Sequence, residues 1–145
     1  MSPSPDKPAV GSHPLPRGAV TAFRLLGDYD FQTQPSRPGI LRSSQILSSL
    51  PTSEAQAAHI REVLSSLDTY GGEGARCFIP RLGFTIGCGA DALDVLICIE
   101  CYWTYFFRGD ARTVDSLSDT GRQRLIALHL ELFPGHDPEP SNRHA

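Results

Sequence analysis

An α+β domain with a mainly antiparallel sheet is what this sequence predicts, and three neighbouring stretches predict it. Residues 76–86 alternate between two kinds of side chain: Phe78, Pro80, Leu82, Phe84 and Ile86 point one way, and Cys77, Ile79, Arg81, Gly83 and Thr85 the other. Residues 94–107 are almost wholly apolar, aromatic or Cys and hold the only Trp. Between them Gly87-Cys88-Gly89-Ala90-Asp91-Ala92 reads as a turn. Adjacent strands with few crossovers, with helical patterns before and after them, give the order β-(β)-α-β-β-β-α and place the helices on one face of the sheet.

The first element is Ala19–Leu26, a β-rich run closed by Gly27-Asp28. Residues 27–39 carry Gly, Asp and Pro and read as a loop, and Ile40 to Leu47 as a short edge strand. Thr52 or Ser53 caps a helix whose stripe is Ala57, Ile60, Val63, Leu64 and Leu67, and Gly71-Gly72 ends it. Pro80 lacks an N–H, which puts the strand over 76–86 at an edge or turns that position outward.

A two-residue loop at Gly89-Ala90 would form a type II′ hairpin. Its register sets Ile86 opposite Leu93, Thr85 opposite Asp94, Gly83 opposite Leu96 and Arg81 opposite Cys98. As a straight strand, the long run would show Val95, Ile97, Ile99, Cys101, Trp103, Tyr105 and Phe107 on one face. Fourteen residues exceed the usual strand of about 5–6, so a bend or bulge is expected near Glu100–Tyr102, splitting the run into two strands or leaving one bent strand, and Arg108-Gly109-Asp110 ends the run. A last helix starts near Ser116 or Ser118 and runs to Phe133, with Leu125, Leu128, Leu132 and Phe133 on its stripe and Pro134-Gly135 as its stop.

Length and composition set the outer limits. The 145 residues make one domain. Proline is concentrated at the two ends, so residues 1–18 and 134–145 read as disordered tails around a domain at 19–133. The net charge is −3 and no basic stripe appears, which disfavours nucleic acid as a partner. No run of about eighteen apolar residues is present, so no membrane span is expected. The N-terminal residues lack the apolar core of a secretory signal, and with four Cys the expected setting is a reducing cytoplasm.

Three groups of residues are candidates for chemistry. Cys98 and Cys101 form a C-x-x-C, the spacing of a metal knuckle, but within an apolar run that has no Gly or Pro. With Cys77 they are weak metal candidates, and buried thiols are the plainer reading. One extra residue in a bulge would bring Cys77 within reach of Cys101, a bridge suited to an oxidising compartment. A redox role fits poorly, because no helix N-terminus follows Cys101 to stabilise a thiolate. Arg81, Asp94 and Glu100 form the second group: either an anion site around Arg81 or cross-strand ion pairs worth under about 1 kcal/mol. Glu100 needs a partner if it is buried. The third group is the aromatic cluster of Tyr102, Trp103, Tyr105, Phe106 and Phe107, which is core if covered and a partner surface if bare. His59 reads as a partly exposed helix histidine. No nucleophile elbow, zinc-protease motif or P-loop occurs, so neither enzymatic activity nor a cofactor is expected.

Cys77-Phe78-Ile79-Pro80-Arg81-Leu82-Gly83, followed by Asp94-Val95-Leu96-Ile97-Cys98-Ile99-Glu100-Cys101, resembles a group of small uncharacterised bacterial proteins. Their pattern is Cys-Phe-x-Pro-Arg-x-Gly, a Gly-containing turn, then Asp-hydrophobic-hydrophobic-x-Cys-Phe-x-Cys. A helix ending in Phe-Pro, here Phe133-Pro134, is similar too, and the resemblance covers about residues 75–135. Ile99 stands where Phe is more usual. Many such proteins look exported or lipid-anchored, and this chain shows no signal of that kind. The resemblance implies a fold and a set of recurrent positions, Cys77, Pro80, Arg81, Gly83, Asp94, Cys98, Glu100 and Cys101, without an activity. The expected function is therefore a small non-enzymatic interaction module with a protein partner, working through residues 94–107. The alternative is a thiol-based metal-binding or redox protein using Cys77, Cys98 and Cys101.

Overall fold

The hairpin expected at the centre of the chain is the centre of the sheet. In the computed structural model, which describes residues 15–26, 38–42, 44–75 and 79–139, β4 (Leu82–Ile86) and β5 (Leu93–Cys98) pair antiparallel. Ile86 lies opposite Leu93, Thr85 opposite Asp94 and Gly83 opposite Leu96, as the alternation requires. Their connection is longer than a two-residue loop. It holds a 3-10 turn at Gly89–Asp91, entered through Gly87 at φ 82° and Gly89 at φ 71°. Cys77 and Phe78 lie outside the described residues, and with them the expected start of the strand.

Around this pair stand β1 (Val20–Leu25), β2 (Ile40–Leu41), β3 (Ser44–Pro51), β6 (Trp103–Arg108) and β7 (Ala111–Ser116). The sheet order is β2-β3-β1-β4-β5-β6-β7, with every neighbouring pair antiparallel. The long apolar run is split into two strands, β5 and β6, at the expected place. It reverses through residues 99–102, with Cys98 opposite Trp103 and Tyr102 in the left-handed region at φ 61°. The reversal exchanges the expected faces. Val95 now shares a side with Phe106, and Leu96 with Tyr105. Arg108-Gly109-Asp110 ends the run as expected. It is a tight turn into β7, a largely exposed strand whose ARTVDS sequence has no apolar alternation to reveal it.

Two helices, α1 (Glu54–Ser65) and α2 (Asp119–Leu132), cover one face. They set Ile60, Val63, Leu64, Leu125, Leu128 and Leu132 against Ala22, Leu82, Phe84, Val95, Ile97 and Phe106. Ser53 caps α1 in a reciprocal capping box with Gln56, and the Ser118 hydroxyl accepts from the Gly121 N–H at the start of α2. The stripe of α1 is shorter than expected. The helix stops at Ser65, and Leu67, 66% exposed, sits in a 3-10 turn. The described parts of both end segments pack on the domain. Leu15 touches the main core, Arg61 donates to the carbonyls of Pro16 and Gly18, and Glu139 is buried in an ion pair with Arg122. Among the described residues no helix is long and apolar enough to cross a membrane.

Among the described residues the other face carries no helix, and the sheet curls over it. Leu25, Leu41, Leu96 and Phe107 form a second small core there. Leu41, from the short strand β2, lies over Gly83 of β4, where a Cβ would come within 2.7 Å of its Cδ2. The next residue, Arg42, holds the curl in place. Its Nε donates to Asp94 Oδ2 on β5 at 2.9 Å, and an Nη donates to the Gly109 carbonyl beyond β6 at 2.8 Å. Its guanidinium also lies 5.1 Å from the centre of the Phe107 ring. Thr85 Oγ1 donates to the other oxygen of Asp94 at 2.7 Å.

Removing one partner of such a pair strands a buried charge, at about 3–5 kcal/mol. Arg42→Met is expected to lower the unfolding free energy by that order in urea titration. The double variant Arg42→Met/Asp94→Leu should recover a large part of the loss. A single variant within about 0.5 kcal/mol of the parent would show that the curl does not depend on this pair.

Candidate functional site

Arg81, Asp94 and Glu100 do not form one cluster. Asp94 is bound to Arg42, while Arg81 Nε donates to Glu100 Oε1 at 2.7 Å. The side chain of Glu100 is only 6% exposed and is compensated by that bond. Arg81 also reaches the Leu26 carbonyl at 3.2 Å, so the pair ties the β5–β6 turn to the end of β1. Arg42 is missing from the sequence-based candidates. Nothing near it in the chain marks it, since its partner lies 52 residues away.

The C-x-x-C sits on the reversal itself, where the straight-strand reading had sent its two sulfurs to opposite faces. The strand ends at Cys98, and the Cys101 N–H donates to Cys98 Sγ at 3.1 Å. Both residues are fully buried, in one small cluster with Ile79 and a half-buried Trp103. Trp103 Nε1 donates to the Ala75 carbonyl at 2.6 Å and closes the cluster from outside. Cys88 is exposed, in the turn at the far end of β5. Among the described residues no three His, Cys, Asp or Glu side chains stand close enough to hold a metal ion. Cys77 lies outside the described residues.

The aromatic run divides between the two faces. Phe106 enters the main core and meets Tyr70 with ring centres 6.2 Å apart. Phe107 fills the smaller core of the curl, and Tyr105 and Phe23 stand half-buried at its rim. Arg112 stacks over Tyr105 at 5.0 Å. Tyr102 projects from the reversal toward α2. Its hydroxyl donates to Asp119 at 3.0 Å, and that bond, with some burial, raises its pKa above the ordinary tyrosine value. His59 pairs loosely with Glu131 across the helices at 3.7 Å, both side chains close to half exposed.

The residue that sequence reasoning passed over is His129. It lies on the same stripe of α2 as Leu125, Leu128 and Leu132, and that spacing was the available signal. It is 1% exposed, and neither ring nitrogen has a hydrogen-bond partner. Burial, helped by His136 and Arg24 nearby, lowers its pKa to about 4. The ring is therefore neutral at pH 7. No family model, curated protein or solved structure matches this chain.

A histidine held neutral in the fold titrates normally once the chain unfolds. As the pH falls from about 6.5 toward 4, the unfolded state takes up a proton that the folded state refuses. Stability is then lost, by up to about 3 kcal/mol over that window. Urea titrations at pH 7 and pH 5 should show a smaller drop for His129→Leu than for the parent. Equal drops in the two proteins would assign the acid sensitivity to other groups.

Proposed function

We propose that this chain is a small non-enzymatic binding module that offers the rim of its curled sheet to a protein partner. The observation carrying this reading is the composition of the helix-free face. The open face of an antiparallel sheet is ordinarily polar. Here Phe23, Ile46 and Tyr105 stand half-buried around the smaller core, and Val114 lies opposite Tyr105 on β7. An apolar rim of this kind marks an interaction surface. Arg112, stacked on Tyr105, adds a cation that suits a partner segment with apolar side chains and a carboxylate. The charged pairs Arg42–Asp94 and Arg81–Glu100 fit the same reading, because each joins separate parts of the fold. The recurrent positions of the bacterial group that the sequence resembles fall mainly on these pairs and on the cysteine turn.

A photo-crosslinking residue at position 105 in the full chain should trap one discrete partner in cells, and the same residue at exposed position 130 on α2 should not. Equal trapping at both positions, or none at 105, would refute the rim as the working face.

A second reading, thiol-based metal binding, is favoured by the N–H···S bond on the cysteine turn. A backbone donor at Cys98 Sγ stabilises a thiolate, and the reversal gathers both cysteines into one cluster. Cys77 stands two residues before Ile79, which packs in that cluster. The two readings part on metal content. The binding-module reading predicts a protein without bound metal that keeps its fold in Cys98→Ser. Stoichiometric zinc that disappears in Cys98→Ser would replace it with the thiol reading.

A further inference from the structure

At the end of β1, beside the Arg81–Glu100 pair, is a cleft of about 250 Å³. Its polar lining comes from Arg24, Arg81, His129, His136 and Asp137, and Leu25, Leu26 and Leu47 make its apolar walls. Two of the polar groups stand out. Both ring nitrogens of His129 are buried without a partner, and so is Nε of Arg24. Buried polar atoms in folded proteins are nearly always bonded, and the exceptions ask for an explanation. These two lie in one cleft and belong to separate elements, α2 and β1.

Their chemistry specifies the complement. Arg24 has only donors to offer, and the neutral imidazole of His129 carries one N–H. Arg81 brings a second guanidinium, already engaged by Glu100 and the Leu26 carbonyl. Among the described residues the carboxylate in the lining is Asp137, which accepts the Glu139 N–H at 2.8 Å with its Oδ1. A lining rich in donors and poor in acceptors suits an acceptor-rich ligand, and arginine in particular suits a carboxylate or a phosphate. The cleft is smaller than a drug-sized pocket, so the ligand is small.

We propose that this cleft is a binding site for a small oxyanion, a carboxylate or phosphate group, held by Arg24 and by the ring N–H of His129. The proposal requires neither a partner on the rim nor a metal on the cysteines. Asp137 lines the same cleft as a competing negative charge, which weakens binding.

The test is a ¹H–¹⁵N long-range spectrum of the histidine rings in the full-length protein, titrated at pH 6.5 and constant ionic strength. Sodium phosphate and sodium succinate are the two probes, with sodium chloride as the control. The five histidines are few enough to resolve, and His129→Gln assigns the key signal. The expected result is a saturable shift of His129 with one or both probes. Binding should be at least about tenfold weaker in Arg24→Gln, the loss of one charge-assisted bond. It should tighten in Asp137→Asn, which is exposed and keeps an oxygen for the Glu139 N–H. Saturation with phosphate alone identifies a phosphoryl ligand, and with succinate alone a carboxylate. A shift that chloride reproduces, or one that neither Arg24→Gln nor Asp137→Asn alters, would overturn the site.

Discussion

The ion pair between Arg42 and Asp94 holds the sheet in its curl. A twisted seven-stranded sheet with helices on one side leaves its other side open. Here β2 is folded inward, and Arg42 bonds from there to the start of β5 and to the turn beyond β6. The small core of Leu25, Leu41, Leu96 and Phe107 exists because that arm is tied down. Gly83 permits it, since any side chain there would occupy the space Leu41 fills. A buried pair of this kind contributes little net stability over well-packed apolar residues. Its effect is to select one arrangement of the arm, because every alternative leaves a charge out of water and unbonded.

Much of the central fold was legible because its signals are local. The register of β4 on β5 follows from alternation that matches on both strands. The α2 start follows from Ser118 and its core stripe from leucine spacing. What escaped lacked a local signal. The break in the long run was expected from its length, but its form, a full reversal at residues 99–102, has no Gly, Pro or Asn to announce it, and Tyr102 takes up the left-handed conformation that such residues usually fill. β7 is an exposed strand whose polar sequence looks like loop. The stop of α1 at Ser65 rather than Gly71 reflects the tight seating of the next turn, where Thr69 and Tyr70 bond back to the carbonyls of Val63 and Leu64.

The candidate sites divide the same way. The need for a partner at Glu100 was readable from its apolar surroundings, and Arg81 supplies it. Asp94 went to a partner that no short-range pattern names. His129 was visible as a position on the stripe, but its orphaned nitrogens appear only when β1 and the segment after α2 are brought alongside. Long-range polar pairing is the part of a structure that periodicity does not encode. The same physics that hides those pairs from a sequence reader makes them informative once the chain is folded.

The inward arm also bears on how copies of this molecule meet one another. β2 offers two residues of ladder at one margin of the sheet, too short a template for a foreign strand to zip onto. The opposite margin is β7, which carries the exposed charge of Arg112 and the buried one of Asp115. Sheets with bare, uniform margins grow into fibrils; this one is blunted at both ends. An apolar rim can thus be kept open to solvent without inviting strand-by-strand aggregation.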